Sequence, residues 1–152
     1  MRWAYRAYSL SRLHEHATCY AADIMRPHPL RVHLVEDSPI MARLLRDLVR
    51  ETPAKVVGHS STAAAAIRDI VRTKPDVAIV DIGLAEGNGF EVVKAIAAKE
   101  PRPLVFMLTN HATKAYRDHA TRLGADAFFD KHDEIIALVG SLTALATASR
   151  DA

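Results

Sequence analysis

Cysteine is nearly missing from this chain, with Cys19 the only one in 152 residues. An internal disulfide framework is thereby excluded, and the count fits a reducing cytosol. Long hydrophobic runs are missing too: none approaches the roughly 18 residues that a membrane-spanning helix needs. The first 22 residues lack the continuous apolar stretch of a secretory signal, so the expected location is cytoplasmic. Charge of one sign is also scarce. The pI of about 8.8 traces to residues 1–29, where four Arg face only Glu15 and Asp23. From Leu30 onward 16 basic residues balance 16 acidic ones, so the sequence carries no electrostatic footprint for nucleic acid. Neither a GxxxxGK loop nor a GxGxxG turn after the first strand points to a nucleotide.

What is present is an ordinary globular composition, 49% hydrophobic and 25% charged, in a length that suits one domain. Residues 1–29 lack clean periodicity and end on Pro27 and Pro29. Trp3, Tyr5, Tyr8, Leu10 and Leu13 fit a short amphipathic helix. The segment reads as a poorly ordered extension, or as a mis-assigned start with Met25 the true one; a docking or membrane-surface arm is the functional alternative. His14-Glu15-His16 lacks the i, i+4 histidine pair of a helical zinc site.

From Leu30 the chain alternates between strand-like and helix-like runs, and the domain is expected over residues 30–148, with 149–152 a tail. Strands are expected at Val32–Val35, Lys55–His59, Val77–Val80, Leu104–Leu108 and Asp126–Phe129. Ser38 before Pro39, and Thr62, are helix caps; Gly124 is a left-handed C-cap. Ile40, Met41, Leu44, Leu45, Leu48 and Val49 are expected on the buried face of the first helix. Ala63–Ala66, Ile67, Ile70 and Val71 take that role in the second helix. A fourth helix spans Ala112–Leu123, and Ile135, Ile136, Leu138, Val139, Leu142 and Leu145 line a fifth. Five β/α units make an α/β fold, a doubly wound five-stranded parallel sheet, and right-handed crossovers favour the order 2-1-3-4-5.

In that order the strand ends carry one chemistry. Glu36 and Asp37 follow strand 1, Asp81 follows strand 3, Thr109 follows strand 4 and Lys131 follows strand 5. Ligands of open α/β sheets sit beyond these ends, where strand order reverses. Three crowded carboxylates repel one another unless a cation sits among them, and Mg²⁺ suits such an oxygen-lined site. Asp81 is then a nucleophile for a phosphoryl group, with Lys131 and the Thr109 hydroxyl available to its oxygens. Taken singly, each has a duller reading: helix caps for Glu36, Asp37 and Thr109, a solvated surface lysine for Lys131. Five such residues at five suitable places make chance a poor explanation.

Over about residues 30–148 the chain resembles the receiver domains of bacterial two-component response regulators. The resemblance rests on Glu36-Asp37, Asp81, Gly89, Thr109, Gly124-Ala125, Phe128 and Lys131. The runs Leu108-Thr109-Asn110-His111 and Phe128-Phe129-Asp130-Lys131 are similar to those of stand-alone, chemotaxis-type receivers. The resemblance implies a flavodoxin-like fold and a phosphorelay role. Asp81 would take phosphate from a sensor histidine kinase or a histidine phosphotransfer protein. Glu36, Asp37, Asp81 and the backbone carbonyl of Gly83 would hold Mg²⁺. Thr109 would swing toward the phosphoryl group and Phe128 turn inward, remodelling the face of the fourth helix, fifth strand and fifth helix for a downstream protein, with a homodimer left open.

Several positions depart from the family pattern. His132 follows Lys131 where many receivers have Pro, so no cis peptide is expected there. Ala85 replaces a common Pro. Asn110 stands where a small residue is usual and would narrow the entrance or bond a phosphoryl oxygen. Gly83 offers no shield to an acyl phosphate, while His111 could orient a hydrolytic water. About twenty residues follow Lys131, leaving no room for a DNA-binding or catalytic output domain, so the expected chemistry is self-phosphorylation and self-dephosphorylation rather than turnover of a substrate. Two other readings stand: a receiver-shaped interaction module that is never phosphorylated, and a haloacid-dehalogenase-like phosphatase. The latter needs a second Asp where this chain has Gly83.

Overall fold

The structure, a computed structural model, describes residues 28–151. The helix expected around Trp3–Leu13 lies outside the described residues. Ten elements alternate along the chain: β1 Leu30–Val35, α1 Pro39–Arg50, β2 Ala54–Ser60, α2 Ala63–Thr73, β3 Val77–Val80, α3 Gly89–Ala97, β4 Leu104–Thr109, α4 Lys114–Leu123, β5 Ala127–Asp130 and α5 Ile135–Asp151. All pairings are parallel, and the strand order is β2-β1-β3-β4-β5.

Side chains alternate across a strand, and helices cover both faces of this sheet, which is why the central strand β3 is wholly apolar and its neighbour β4 is apolar up to Thr109. Val35, Ala78, Val80, Val105 and Met107 pack on one face against Ala66 and Ile70 of α2, Val92, Val93 and Ile96 of α3, and Ala120 of α4. Val32, Leu34, Ile79, Phe106 and Leu108 pack on the other against Leu45 and Val49 of α1 and Leu138 and Leu142 of α5. A fully buried side chain such as Phe106 contributes roughly 2–3 kcal/mol by leaving water.

Helix starts follow the expected chemistry. Ser38 and Thr62 each accept a backbone N–H three residues on, Pro39 occupies the first turn of α1, and Gly124 closes α4 at φ 106°. Thr113 caps α4, so that helix begins two residues later than Ala112. Strand β2 starts one residue earlier and ends one later than expected, and α5 continues through Asp151.

The expected inward faces were too wide. Ile40 is 84% exposed and Leu44 44%, on the opposite side of α1 from the buried Ala42, Leu45 and Val49. At 100° per residue, six apolar positions spread over ten residues cannot all face one sheet. Val71 and Ile136 are likewise exposed, Ile136 in the first turn of α5. The cis peptide among the described residues is Glu100–Pro101; none follows Lys131, as expected.

Candidate functional site at the carboxyl edge of the sheet

Strands β1 and β3 pair with Val35 opposite Val80, which sets Glu36 and Asp81 side by side one residue later. Asp81 N donates to Val35 O at 2.9 Å, fixing that step. Carboxylate oxygens of Glu36, Asp37 and Asp81 lie within 4.8 Å of one another. Glu36 and Asp81 are buried, Asp37 exposed.

The cation expected among them is first a side chain. Lys131 Nζ donates to Glu36 Oε2 at 2.7 Å and to Asp81 Oδ2 at 2.5 Å. Its place is set by β5, because Lys131 N donates to Thr109 O at 3.0 Å. Burial by itself would lower the Lys131 pKa, but the bonds to Asp81 and then Glu36 outweigh it, and the ammonium stays protonated above its ordinary range. Three carboxylates and one ammonium leave a net charge of −2, which one divalent cation would cancel. The donors are hard oxygens, the set that ions of the Mg²⁺ and Ca²⁺ type select.

Glu36 is held at four atoms. Its Oε1 accepts Ser38 N–H at 3.0 Å and its Oε2 accepts Lys131. Its backbone N–H donates to Ser60 O at 3.0 Å, and His59 Nε2 reaches its carbonyl oxygen at 2.8 Å. Among the described residues the Asp37 carboxylate takes no hydrogen bond. On the far side, Gly89 closes the loop after Asp81 by donating to Ile82 O at 2.8 Å. A Cβ at Gly89 would stand 2.1 Å from Asp81 O, so no other residue fits unless the loop moves. Gly83 is exposed at the start of this loop.

The remaining predicted residues make no hydrogen bond to the trio among the described residues. Thr109 is fully buried at the end of β4, and its Oγ1 accepts the His111 N–H at 3.3 Å. Phe128 is already inward, 5% exposed, with the Arg117 guanidinium 5.0 Å from its ring centre. Arg117 also donates to Phe128 O at 2.9 Å and to Glu134 at 2.6 Å. Asn110 and His111 are exposed, the His111 ring edge-on to Tyr116 at 6.4 Å. Sequence reasoning missed His59, Arg117 and Glu134. Only His59 left a signal, its place at the end of a strand neighbouring the one that carries Glu36.

Architecture and cluster together define a doubly wound α/β protein of the flavodoxin-like class, with an acidic site where strand order reverses. The chain belongs to the response regulator receiver domain family, whose model matches residues 32–142. It is 33% identical over 81 residues to a protein-glutamate methylesterase/protein-glutamine glutaminase of Hahella chejuensis, covering 53% of this chain and 23% of the relative. It is 27% identical over 101 residues to the chemotaxis protein CheY of Thermotoga maritima, covering 66% of this chain and 84% of that one. The solved response regulator domain of Thermotoga maritima CheB superposes with a TM-score of 0.68 at 29% identity, covering 80% of this chain and 96% of that one. The chain thus spans about a quarter of the length of the methylesterase it matches. No helix among the described residues is long and apolar enough to cross a membrane.

Proposed function

We propose that this protein is a phosphorelay receiver in which Asp81 takes a phosphoryl group from a phosphohistidine on a sensor kinase or phosphotransfer protein. An Asp81 carboxylate oxygen attacks phosphorus, the bond from phosphorus to the donor imidazole nitrogen breaks, and the departing imidazole takes a proton from solvent. Lys131 already holds Asp81 Oδ2, while Oδ1 carries no hydrogen bond among the described residues. The observation behind this reading is that one buried ammonium spans Glu36 and Asp81 beside the exposed Asp37. Asp37, Asp81, Glu36 and the Gly83 carbonyl are the groups that would hold Mg²⁺, which supplies charge neutralisation as the phosphoryl group arrives. Lys131 and the Thr109 hydroxyl are the groups available to the other phosphoryl oxygens.

Phosphorylation would then bias Thr109 and Phe128, and with them the surface of α4, β5 and α5, toward a downstream protein partner. The expected role is signalling in the cytoplasm without substrate turnover. The test is mass spectrometry after incubation with acetyl phosphate and Mg²⁺. One phosphoryl group on the peptide containing Asp81, absent from Asp81→Asn, is expected. No gain by the parent, under conditions that label another receiver, would favour an unphosphorylated interaction module.

A further inference from the structure

The acidic pair is positioned by a residue that lies on neither of its own elements. His59 stands on β2, where the sheet register slips by one residue between Val32 and His33, so that His59 pairs with Leu34. From there its ring reaches forward to the Glu36 carbonyl at 2.8 Å. A carbonyl oxygen has no proton to give, so His59 Nε2 carries the hydrogen and donates. Together with the bond from Glu36 N to Ser60 O, this ties both backbone polar groups of Glu36 to the end of β2.

The Glu36 carbonyl belongs to the peptide plane that joins Glu36 to Asp37. Because that plane is rigid, holding its oxygen also orients the N–Cα bond of Asp37. Glu36 has further anchors through its side chain, in Ser38 N and Lys131 Nζ. The Asp37 carboxylate takes no hydrogen bond among the described residues, so what limits its reach is the Cα–Cβ direction that its backbone sets, about which the side chain turns. We propose that His59 is a positioning residue that aims the Asp37 carboxylate at the cation site by pinning this peptide plane. The proposal rests on the reading of the acidic trio as a divalent-cation site.

The test is direct titration of the folded protein with Mg²⁺, read by isothermal calorimetry, alongside thermal melting in the absence of divalent ions. His59→Ala is expected to weaken Mg²⁺ binding about threefold to tenfold, the loss of one hydrogen bond. His59→Gln, whose amide can donate to the same oxygen, is expected to restore most of it, whereas His59→Glu, which only accepts, is not. Since His59 is exposed, the metal-free melting temperatures of parent and His59→Ala should agree closely. Parent-like Mg²⁺ affinity in His59→Ala, or no rescue by His59→Gln, would overturn the positioning role. Absence of Mg²⁺ binding by the parent itself would instead overturn the cation site on which it rests.

Discussion

Lys131 is the side chain whose removal should be felt most, because it is the only positive charge bonded to Glu36 and Asp81 among the described residues. Replacing it with Ala leaves two buried carboxylates facing each other, and losing one partner of such a buried pair costs about 3–5 kcal/mol. Lys131→Ala should therefore lower the urea midpoint strongly in metal-free buffer, and a midpoint equal to the parent's would contradict the geometry. A second buried charge question concerns His33. It is 1% exposed, its Nε2 lies 2.9 Å from Ser60 Oγ, and its Nδ1 has no hydrogen-bond partner among the described residues. Burial, partly opposed by Asp69, lowers its pKa from 6.5 to about 4. The unfolded chain therefore takes up a proton before the folded one does. His33's contribution is full above pH 6.5, declines as pH falls and is spent by about pH 4. The difference amounts to about 3 kcal/mol at most. Denaturant titrations at pH 7 and pH 5 should show part of this loss, about 2 kcal/mol, in the parent and a much smaller one in His33→Gln, once the shared carboxylate effects are subtracted. Equal losses in both would remove His33 as the cause.

Among the connections, the loop between β3 and α3 leaves little room for side chains. Gly87 sits at φ 72°, and Gly89 brings its Cα so close to Asp81 O that an added methyl group would overlap that oxygen. Gly89→Ala should cost on the order of 2 kcal/mol or more and displace Asp81. Unfolding midpoint and acetyl phosphate labelling should fall together, and a variant labelled at the parent's rate would show that the loop yields freely. Ser38, Thr62 and Gly124 could be picked out from the sequence, because a cap is written within a few neighbouring residues, whereas Gly89 was singled out by the family resemblance. The strand ends were legible for a related reason: each apolar run stops on a charged or hydroxyl residue. Helix faces were read less well. Ile40 and Leu44 are apolar, yet they point away from the sheet, and composition does not say which of two apolar stripes on α1 is inside. The place of His59 at a strand end was legible, but its contact with Glu36 was not, because that depends on the register slip at Val32/His33, a property of two strands packed together. Lys131 was read as a ligand for a future phosphoryl group. Its ties to Glu36 and Asp81 appear only when three strand ends are placed in one sheet.

At the scale of the molecule, folding gathers three carboxylates around one lysine, so the native state carries a local charge of −2 that the unfolded chain disperses. A cation that binds the assembled trio and ignores the unfolded chain must stabilise the fold. At a free Mg²⁺ concentration tenfold above its dissociation constant the gain is about 1.4 kcal/mol, which for a domain of this size raises the melting temperature by roughly 4 °C. Asp37→Asn, which removes an exposed carboxylate without touching the buried Lys131 pair, should lose most of that increment while its metal-free melting temperature stays near the parent's or rises slightly. Simple screening predicts something different, because an equal ionic strength of NaCl would then stabilise the parent just as well. If NaCl reproduces the Mg²⁺ shift, or if Asp37→Asn keeps it, the carboxylates are crowded but do not form a cation site, and the proposed phosphoryl chemistry at Asp81 loses its counter-charge.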